Sequence, residues 1–203
     1  MKTLHLIRHA KSSWKDQTLS DIERPLNKRG HESCRMMAAN IYGIGGGIQG
    51  VFANVYVSAA HRAQLTMQGL QHALIQQEQN AQNKRNKKTQ LDGTEHISWL
   101  VEPDLYTFSW QELLSWCQTI ESNPTSADMP HLTLVGHNPA LEELVSVLCG
   151  FDYGTTGLAG QSQVIEKFAT GSYAQLQCNI ASWAQLGRGS AQLKYYIKPK
   201  DFQ

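Results

Sequence analysis

An arginine and a histidine follow the first apolar run of the chain, in Leu6-Ile7-Arg8-His9-Ala10, and a second histidine follows another, in Leu134-Val135-Gly136-His137-Asn138-Pro139. A third apolar stretch, Val55-Tyr56-Val57, runs into Ser58-Ala59-Ala60-His61-Arg62, which puts Arg62 at a comparable position. Apolar runs of this length read as buried strands, and in open α/β sheets reactive groups gather where strands end and the chain turns toward a helix. His9, His137, Arg8 and Arg62 are therefore expected around one point. The guanidinium fork suits carboxylate or phosphate, two of them bring about two positive charges, and a neutral imidazole can act as a nucleophile. Phosphoryl chemistry is the natural reading of the four together. Taken singly, each is most often a solvated strand end or a satisfied core group.

Elements able to position these residues alternate along the chain. Residues 12–26 read as a polar connection, and a helix is predicted from Asn27 because Cys34, Met37, Ala38 and Ile41 share one face, with Gly43 expected to end it. The glycine-rich run 43–50 reads as a flexible connection and lacks the strand-to-helix placement of a dinucleotide fingerprint. A second strand at 54–57 leads to a helix from about Ala60, with Thr66, Leu70, Ala73 and Leu74 on a partial core face. From 76 to 96 the sequence turns polar, with Lys84, Arg85, Lys87 and Lys88 among Gln and Asn, which predicts a frayed helix end and a mobile surface excursion. No aromatic residues interleave with that basic cluster, so it reads as a solvated loop and not as a nucleic-acid site.

In the second half, Ser109-Trp110-Gln111-Glu112 fits a capping box ahead of an amphipathic helix carrying Trp110, Leu113, Leu114, Cys117 and Ile120 on one face. Residues 124–130 form a loop, and 131–135 a strand that delivers His137. Asn138 is predicted as an N-cap and Pro139 as the first residue of a helix whose stripe is Leu141, Leu144, Val145 and Leu148. His137 would then sit beside a helix N-terminus, where backbone N–H groups and the dipole favour an anion. Apolar runs at 164–168 and 193–197 are expected to complete the sheet. The predicted fold is a three-layer α/β/α sandwich with a mostly parallel central sheet.

At 203 residues and 41% hydrophobic content the chain suits one domain, spanning 1–203. Lys plus Arg is 18 against 17 for Asp plus Glu, so no global charge draws it to nucleic acid or an anionic membrane. Cys34, Cys117, Cys149 and Cys178 show neither paired metal spacing nor a dense disulfide pattern, which predicts reduced thiols. The N-terminus reaches Arg8 and His9 before any long apolar segment, and no stretch approaches the ~20 apolar residues of a membrane span. A soluble cytoplasmic protein is expected. His5, His31, His61, His72, His96 and His131 lack ligand spacing with carboxylates, so no metal and no other cofactor is expected.

The chain resembles the histidine phosphatase superfamily, of phosphoglycerate mutase-like fold, and within it the SixA-type phosphohistidine phosphatases. Four ordered blocks from residue 4 to about residue 150 carry the likeness: Leu6 to Trp14; Asp21 with Arg24-Pro25-Leu26-Asn27-Lys28-Arg29-Gly30; Ser58, Ala60, Arg62, Ala63 and Thr66; and Val135 to Pro139 with Leu141-Glu142-Glu143-Leu144. The resemblance implies that His9 is the phosphorylated nucleophile, that Arg8 and Arg62 bind phosphate, and that His137 is the second histidine of the pocket. Lys11 and Ser12 follow closely enough to reach a phosphate, with a solvent-facing charge the other reading of Lys11. Arg24 reads as an anchor for its loop. Where many relatives place a proton-donating acid, this chain offers Glu102 and Asp104, which as plain loop carboxylates would be ordinary. The usual serine-proline-alanine-leucine-arginine is here Ser58-Ala59-Ala60-His61-Arg62, and the threonine-containing turn of relatives has no secure place in 157–161.

The activity so implied is hydrolysis through a covalent phosphohistidine on His9. Its partner would be phosphohistidine in a protein, or else a small phosphorylated metabolite. An imidazole leaving group, of pKa ~6.5, makes a missing acid tolerable where an alkoxide would not. The alternatives are a small-molecule phosphomonoesterase, a phosphoglycerate mutase-like enzyme and a non-catalytic phosphate-dependent binding module. The sequence carries no signal for oligomeric state.

Overall fold

The computed structural model describes residues 1–85, 97–120, 129–151 and 167–203. Its sheet contains β1 (Lys2–Arg8), β2 (Val55–Ser58), β3 (Leu100–Glu102), β4 (His131–Gly136), β5 (Tyr173–Cys178) and β6 (Ala191–Ile197), in the order β3-β2-β4-β1-β5-β6. The β3-β2, β2-β4 and β4-β1 pairs are parallel, and β5 alone runs against its neighbours β1 and β6. Side chains of the central strands are buried on both faces, which is why those strands read as unbroken apolar runs. Leu4, Leu6, Leu132, Leu134 and Leu176 face one layer of helices, α3 (Trp110–Thr119) and α4 (Ala140–Leu148). Ile7, Val55, Val57, Val135 and Tyr173 face the other, α1 (Lys28–Ile44) and α2 (His61–Arg85). The three-layer arrangement expected from the sequence is the one found.

Local chemistry explains where the helices start. Asn27 caps α1 by accepting from the Gly30 amide at 2.9 Å, and Cys34, Met37, Ala38 and Ile41 are buried as their spacing predicts. Gly30 has a further use, because a Cβ there would stand 2.4 Å from the Lys11 carbonyl oxygen. Only glycine lets this helix lie against the segment that leaves β1. The helix passes Gly43, the expected stop, and ends one residue later, where Gly45 caps it by donating to the Ile41 carbonyl and Gly46 turns left-handed. A short 3-10 turn, Gly47–Gln49, then occupies the glycine-rich run, entered through Gly46 at φ 80°.

α2 ends at Arg85, within the polar stretch that begins at residue 76, and 86–96, where the surface excursion is expected, lie outside the described residues. Other expectations are corrected. The capping box at Ser109 is half made: Ser109 accepts from the Glu112 amide at 3.4 Å, but the Glu112 carboxylate accepts from the Thr107 hydroxyl instead of turning back to Ser109. Of the strand expected at 164–168, residues 164–166 and the turn sought in 157–161 lie outside the described residues; Lys167 and Phe168 are in no regular element. The strand paired to β1 on that side is β5, where Gln175 and Gln177 interrupt the apolar run. All four cysteines are free thiols, and no helix among the described residues is long and apolar enough to cross a membrane.

Candidate active site

Strand register brings the two histidines together. Arg8 lies opposite Gly136 in the parallel β1-β4 pair, so the next residues, His9 and His137, leave the sheet side by side. The His9 amide donates to the Gly136 carbonyl at 3.1 Å, and the ring centroids are 5.0 Å apart. On the far side of β4, β2 ends at Ser58 and α2 begins, which aims Arg62 from its first turn at both rings. Its Nε is 3.3 Å from His9 Nε2 and its Nη2 is 3.3 Å from His137 Nδ1. The Ala10 amide, donating to Thr66 Oγ1 at 2.9 Å, ties the segment after His9 to the same helix.

The partners determine where the imidazole hydrogens sit. A carbonyl oxygen only accepts, so His9 Nδ1, 2.7 Å from the Ala10 oxygen, carries the hydrogen and Nε2 keeps its lone pair. Arginine only donates, so His137 Nδ1 accepts and its Nε2–H donates to Ser58 Oγ at 2.8 Å. Both rings are neutral near pH 7. Burial is the largest cause in each case: it lowers His9 to about 4, with the Arg62 and Arg8 charges adding to the drop and the Ala10 carbonyl and Asp21 opposing it. His137 is lowered to about 3 by burial, then by His9 and the two arginines. Guanidinium charge alone would suggest the same sign, but desolvation outweighs it.

Arg8 is half-buried and on a different course. Its Nη1 donates to the Phe168 carbonyl, and its buried Nε has no hydrogen-bond partner among the described residues. It makes no direct bond to either imidazole, although its charge acts on both. The neighbouring Asn138 does not cap α4. Its Nδ2 donates to Glu142 Oε2 at 2.8 Å and to the Phe168 carbonyl at 3.1 Å, so a donor and not an acceptor faces the helix. Pro139, joined to Asn138 by a cis peptide bond, takes the cap position, and the first helical bond runs from the Leu141 amide to the His137 carbonyl at 3.0 Å.

The remaining expected residues make no hydrogen bond or ion pair with the cluster. Lys11 is exposed, and Ser12 is held through its backbone by a bridge to Leu26 and by the Asn27 side chain. Glu102 ends β3 and accepts from the Asp104 amide at 3.2 Å; Asp104 is exposed, and neither carboxylate contacts a histidine or arginine of the cluster. Arg24 is buried beneath the Trp14 ring and bonds the Ser13 carbonyl and Asp21, as a loop anchor does. Among the described residues no group of three or more His, Cys, Asp or Glu is arranged to hold a metal ion. His5 is buried outside the site, with Tyr173 Oη at 2.8 Å and His131 Nδ1 at 3.0 Å; His96 lies outside the described residues.

Four residues complete the site that sequence spacing does not single out. Asp21 Oδ2 accepts from Arg62 Nη2 and from the Tyr106 hydroxyl, each at 2.8 Å. The Tyr106 ring meets His137 edge-on at 5.4 Å, and Phe108 lies 5.8 Å from it. Ser58, fully buried, is the fourth. Only their place in the ordered blocks marks Asp21 and Ser58; nothing marks Tyr106 and Phe108 except proximity to Glu102 and Asp104.

Along 99% of both chains the structure superposes on the protein histidine phosphatase SixA complexed with tungstate, with a TM-score of 0.64 and 18% identity. The chain has the phosphoglycerate mutase-like fold. A protein of Nakamurella multipartitia assigned as a phosphohistidine phosphatase SixA gives a TM-score of 0.67 at 22% identity, over 98% of this chain and 96% of that one. In sequence, an uncharacterized chloroplastic protein of Arabidopsis thaliana is 27% identical over 151 residues, which is 73% of this chain. The match spans 60% of that relative's length. No family model matches the chain.

Proposed function

We propose that the chain is a histidine phosphatase in which a phosphoryl group passes to His9 Nε2 and then to water, with phosphohistidine in a protein as the substrate. Two buried imidazoles bridged by one guanidinium support the first part. His9 presents its lone pair from Nε2, and burial keeps it unprotonated at neutral pH. In-line attack forms the N–P bond as the bond to the leaving group breaks; water then attacks phosphorus and the N–P bond breaks, so His9 departs as a neutral imidazole still carrying its Nδ1 hydrogen, and the water's oxygen leaves in phosphate with its surplus proton passing to solvent. Arg62 and Arg8, whose buried Nε lacks a partner among the described residues, supply preorganised charge for the phosphoryl oxygens, and His137 lies beside them. Side chains alone carry these steps, without metal or cofactor.

The choice of substrate rests on one observation: among the described residues, the carboxylate whose charge acts on both histidines, Asp21, is poorly suited to give up a proton. Burial is the largest single influence on Asp21 and pushes it up, but the hydrogen bonds from Tyr106 and Arg62 and the charges of Arg62 and Arg24 together outweigh it and hold the carboxyl below the ordinary range. An alkoxide leaving group needs an acid, whereas a phosphohistidine protonated on its other ring nitrogen releases neutral imidazole, whose conjugate acid has a pKa of only ~6.5, without one. A phosphoramidate P–N bond therefore suits the site better than a sugar phosphate ester. Comparing kcat/KM for phosphohistidine, phosphoramidate, phosphotyrosine and a sugar phosphate tests this. Higher values for the two P–N compounds are expected; a sugar phosphate turned over faster than phosphohistidine would overturn the assignment and favour a small-molecule phosphomonoesterase or a mutase-like enzyme.

A further inference from the structure

Resting on the reading of this site as a phosphoryl-transfer centre, we infer that Asp21 is the positioning residue for Arg62, gripping one edge of its guanidinium so that the opposite edge is presented to the phosphoryl group. A guanidinium has five N–H donors in a rigid plane, and where its edges point decides what it can bind. The Arg62 Nη1 donates to the Asp21 carbonyl and Nη2 to Asp21 Oδ2 at 2.8 Å, so one residue engages the terminal edge through main chain and side chain together. The other edge, Nε with the second Nη2 hydrogen, faces His9 Nε2 and His137 Nδ1, both at 3.3 Å.

The difference in length indicates which edge exchanges. At 2.8 Å between opposite charges the Asp21 bond is a short charge-assisted one, while 3.3 Å to a neutral nitrogen is at the weak limit. A phosphoryl oxygen can displace the two imidazole contacts while the Asp21 edge stays held. The plane of Arg62 is thus set before substrate arrives, which is the condition for electrostatic stabilisation without reorganisation.

Asp21 is itself fixed from two further directions, which a stray surface carboxylate would not need. Its side chain is 46% exposed, yet Arg24 donates to Oδ1 at 2.8 Å and Tyr106 donates to Oδ2 at 2.8 Å. Arg24 is in turn locked between the Ser13 carbonyl and the Trp14 ring. The short 3-10 turn Asp21–Glu23, the helix carrying Arg62 and the segment after β3 are joined through one carboxylate.

A double-mutant cycle distinguishes positioning from general support of the fold. The single-turnover rate of phosphoenzyme formation from p-nitrophenyl phosphate is measured for the wild type, Asp21→Ala, Arg62→Ala and the double variant. Asp21→Ala alone is expected to lower the rate roughly a hundredfold, the scale of a lost oxyanion donor, and Asp21→Asn, which keeps a side-chain acceptor, to recover part of it. In the Arg62→Ala background, removal of Asp21 is expected to change the rate by less than about twofold, since no guanidinium remains to be positioned. Equal losses in both backgrounds, or an Asp21→Ala protein as fast as wild type, would overturn the role given to Asp21. A wild type that forms no phosphoenzyme would instead overturn the reading of the site.

Discussion

Replacing Ser58 by alanine tests the hydrogen-bond network that orients His137. Ser58 is fully buried at the end of β2, and its Oγ accepts from His137 Nε2–H at 2.8 Å and from the Ala60 amide at 3.3 Å. The alanine variant leaves the imidazole N–H, in a residue 1% exposed, without an acceptor. One buried donor left unpaired costs about 1–3 kcal/mol, and the longer Ala60 contact adds a fraction of that, so a loss of about 2–3 kcal/mol is expected. For a chain of this size that is roughly 5–10 °C in Tm. The catalytic consequence is separate. Without the Ser58 acceptor the ring can carry its hydrogen on Nδ1, where it would meet the Arg62 Nη2 donor head-on, so kcat/KM should fall about tenfold, equal to ~1.4 kcal/mol. Urea denaturation at pH 7 with an unchanged m-value, paired with kcat/KM for p-nitrophenyl phosphate, measures both. In a His137→Phe background the stability cost of Ser58→Ala should shrink to the Ala60 part. A Ser58→Ala protein within about 0.5 kcal/mol of wild type, with unchanged kcat/KM, would refute the tautomer and the network drawn from it.

Three other outcomes follow from the same geometry. Because His9 is held neutral down to about 4, kcat/KM corrected for substrate ionisation should stay level as pH falls through 6.5 and then drop about tenfold by pH 3; a break near the ordinary histidine value of ~6.5 would contradict the burial argument. The unfolded chain binds more protons than the native one between those values, so stability should also decline as pH falls below about 6.5, visible in Tm against pH. Arg8→Ala should lower kcat/KM about a hundredfold, ~3 kcal/mol, while stability falls by only about 1 kcal/mol, because Nε has no partner among the described residues and the Phe168 carbonyl that loses the Nη1 bond still accepts from Asn138; a kcat/KM loss under threefold would remove Arg8 from the site. Gly30→Ala should cost about 1–3 kcal/mol and slow turnover as well, since its methyl meets the Lys11 carbonyl just beyond His9; wild-type behaviour on both counts would show that α1 does not brace that segment.

What could be read in the sequence depended on periodicity and on chain order. The apolar runs of β1, β2 and β4 are legible because strands buried on both faces have no polar alternation to hide them, and the stripes of α1 and α4 because each buries one face. Placing His9 and His137 together followed from strand ends, and the Arg8↔Gly136 register is the physical form of that expectation. Short or interrupted elements gave no such signal. β3 has three residues, and β5 carries Gln175 and Gln177 between its buried positions. Asn138 has the residue type of a cap, but Glu142 one turn on draws its amide nitrogen away, a competition invisible to a one-residue rule. The polar frame of the site was the least legible part, since Asp21 and Tyr106 meet Arg62 only through the fold, and Ser58, though four residues before Arg62, meets His137 only across the sheet.

The most direct measurement is the chemical identity of the phosphoenzyme. Protein incubated briefly with labelled phosphoramidate and quenched in alkali should carry an acid-labile phosphoryl group on His9, mapped by peptide mass spectrometry; a His9→Ala variant should carry none, and Arg62→Ala should accumulate it far more slowly. Phosphate that survives acid, maps elsewhere, or persists at wild-type level without His9 would contradict the account.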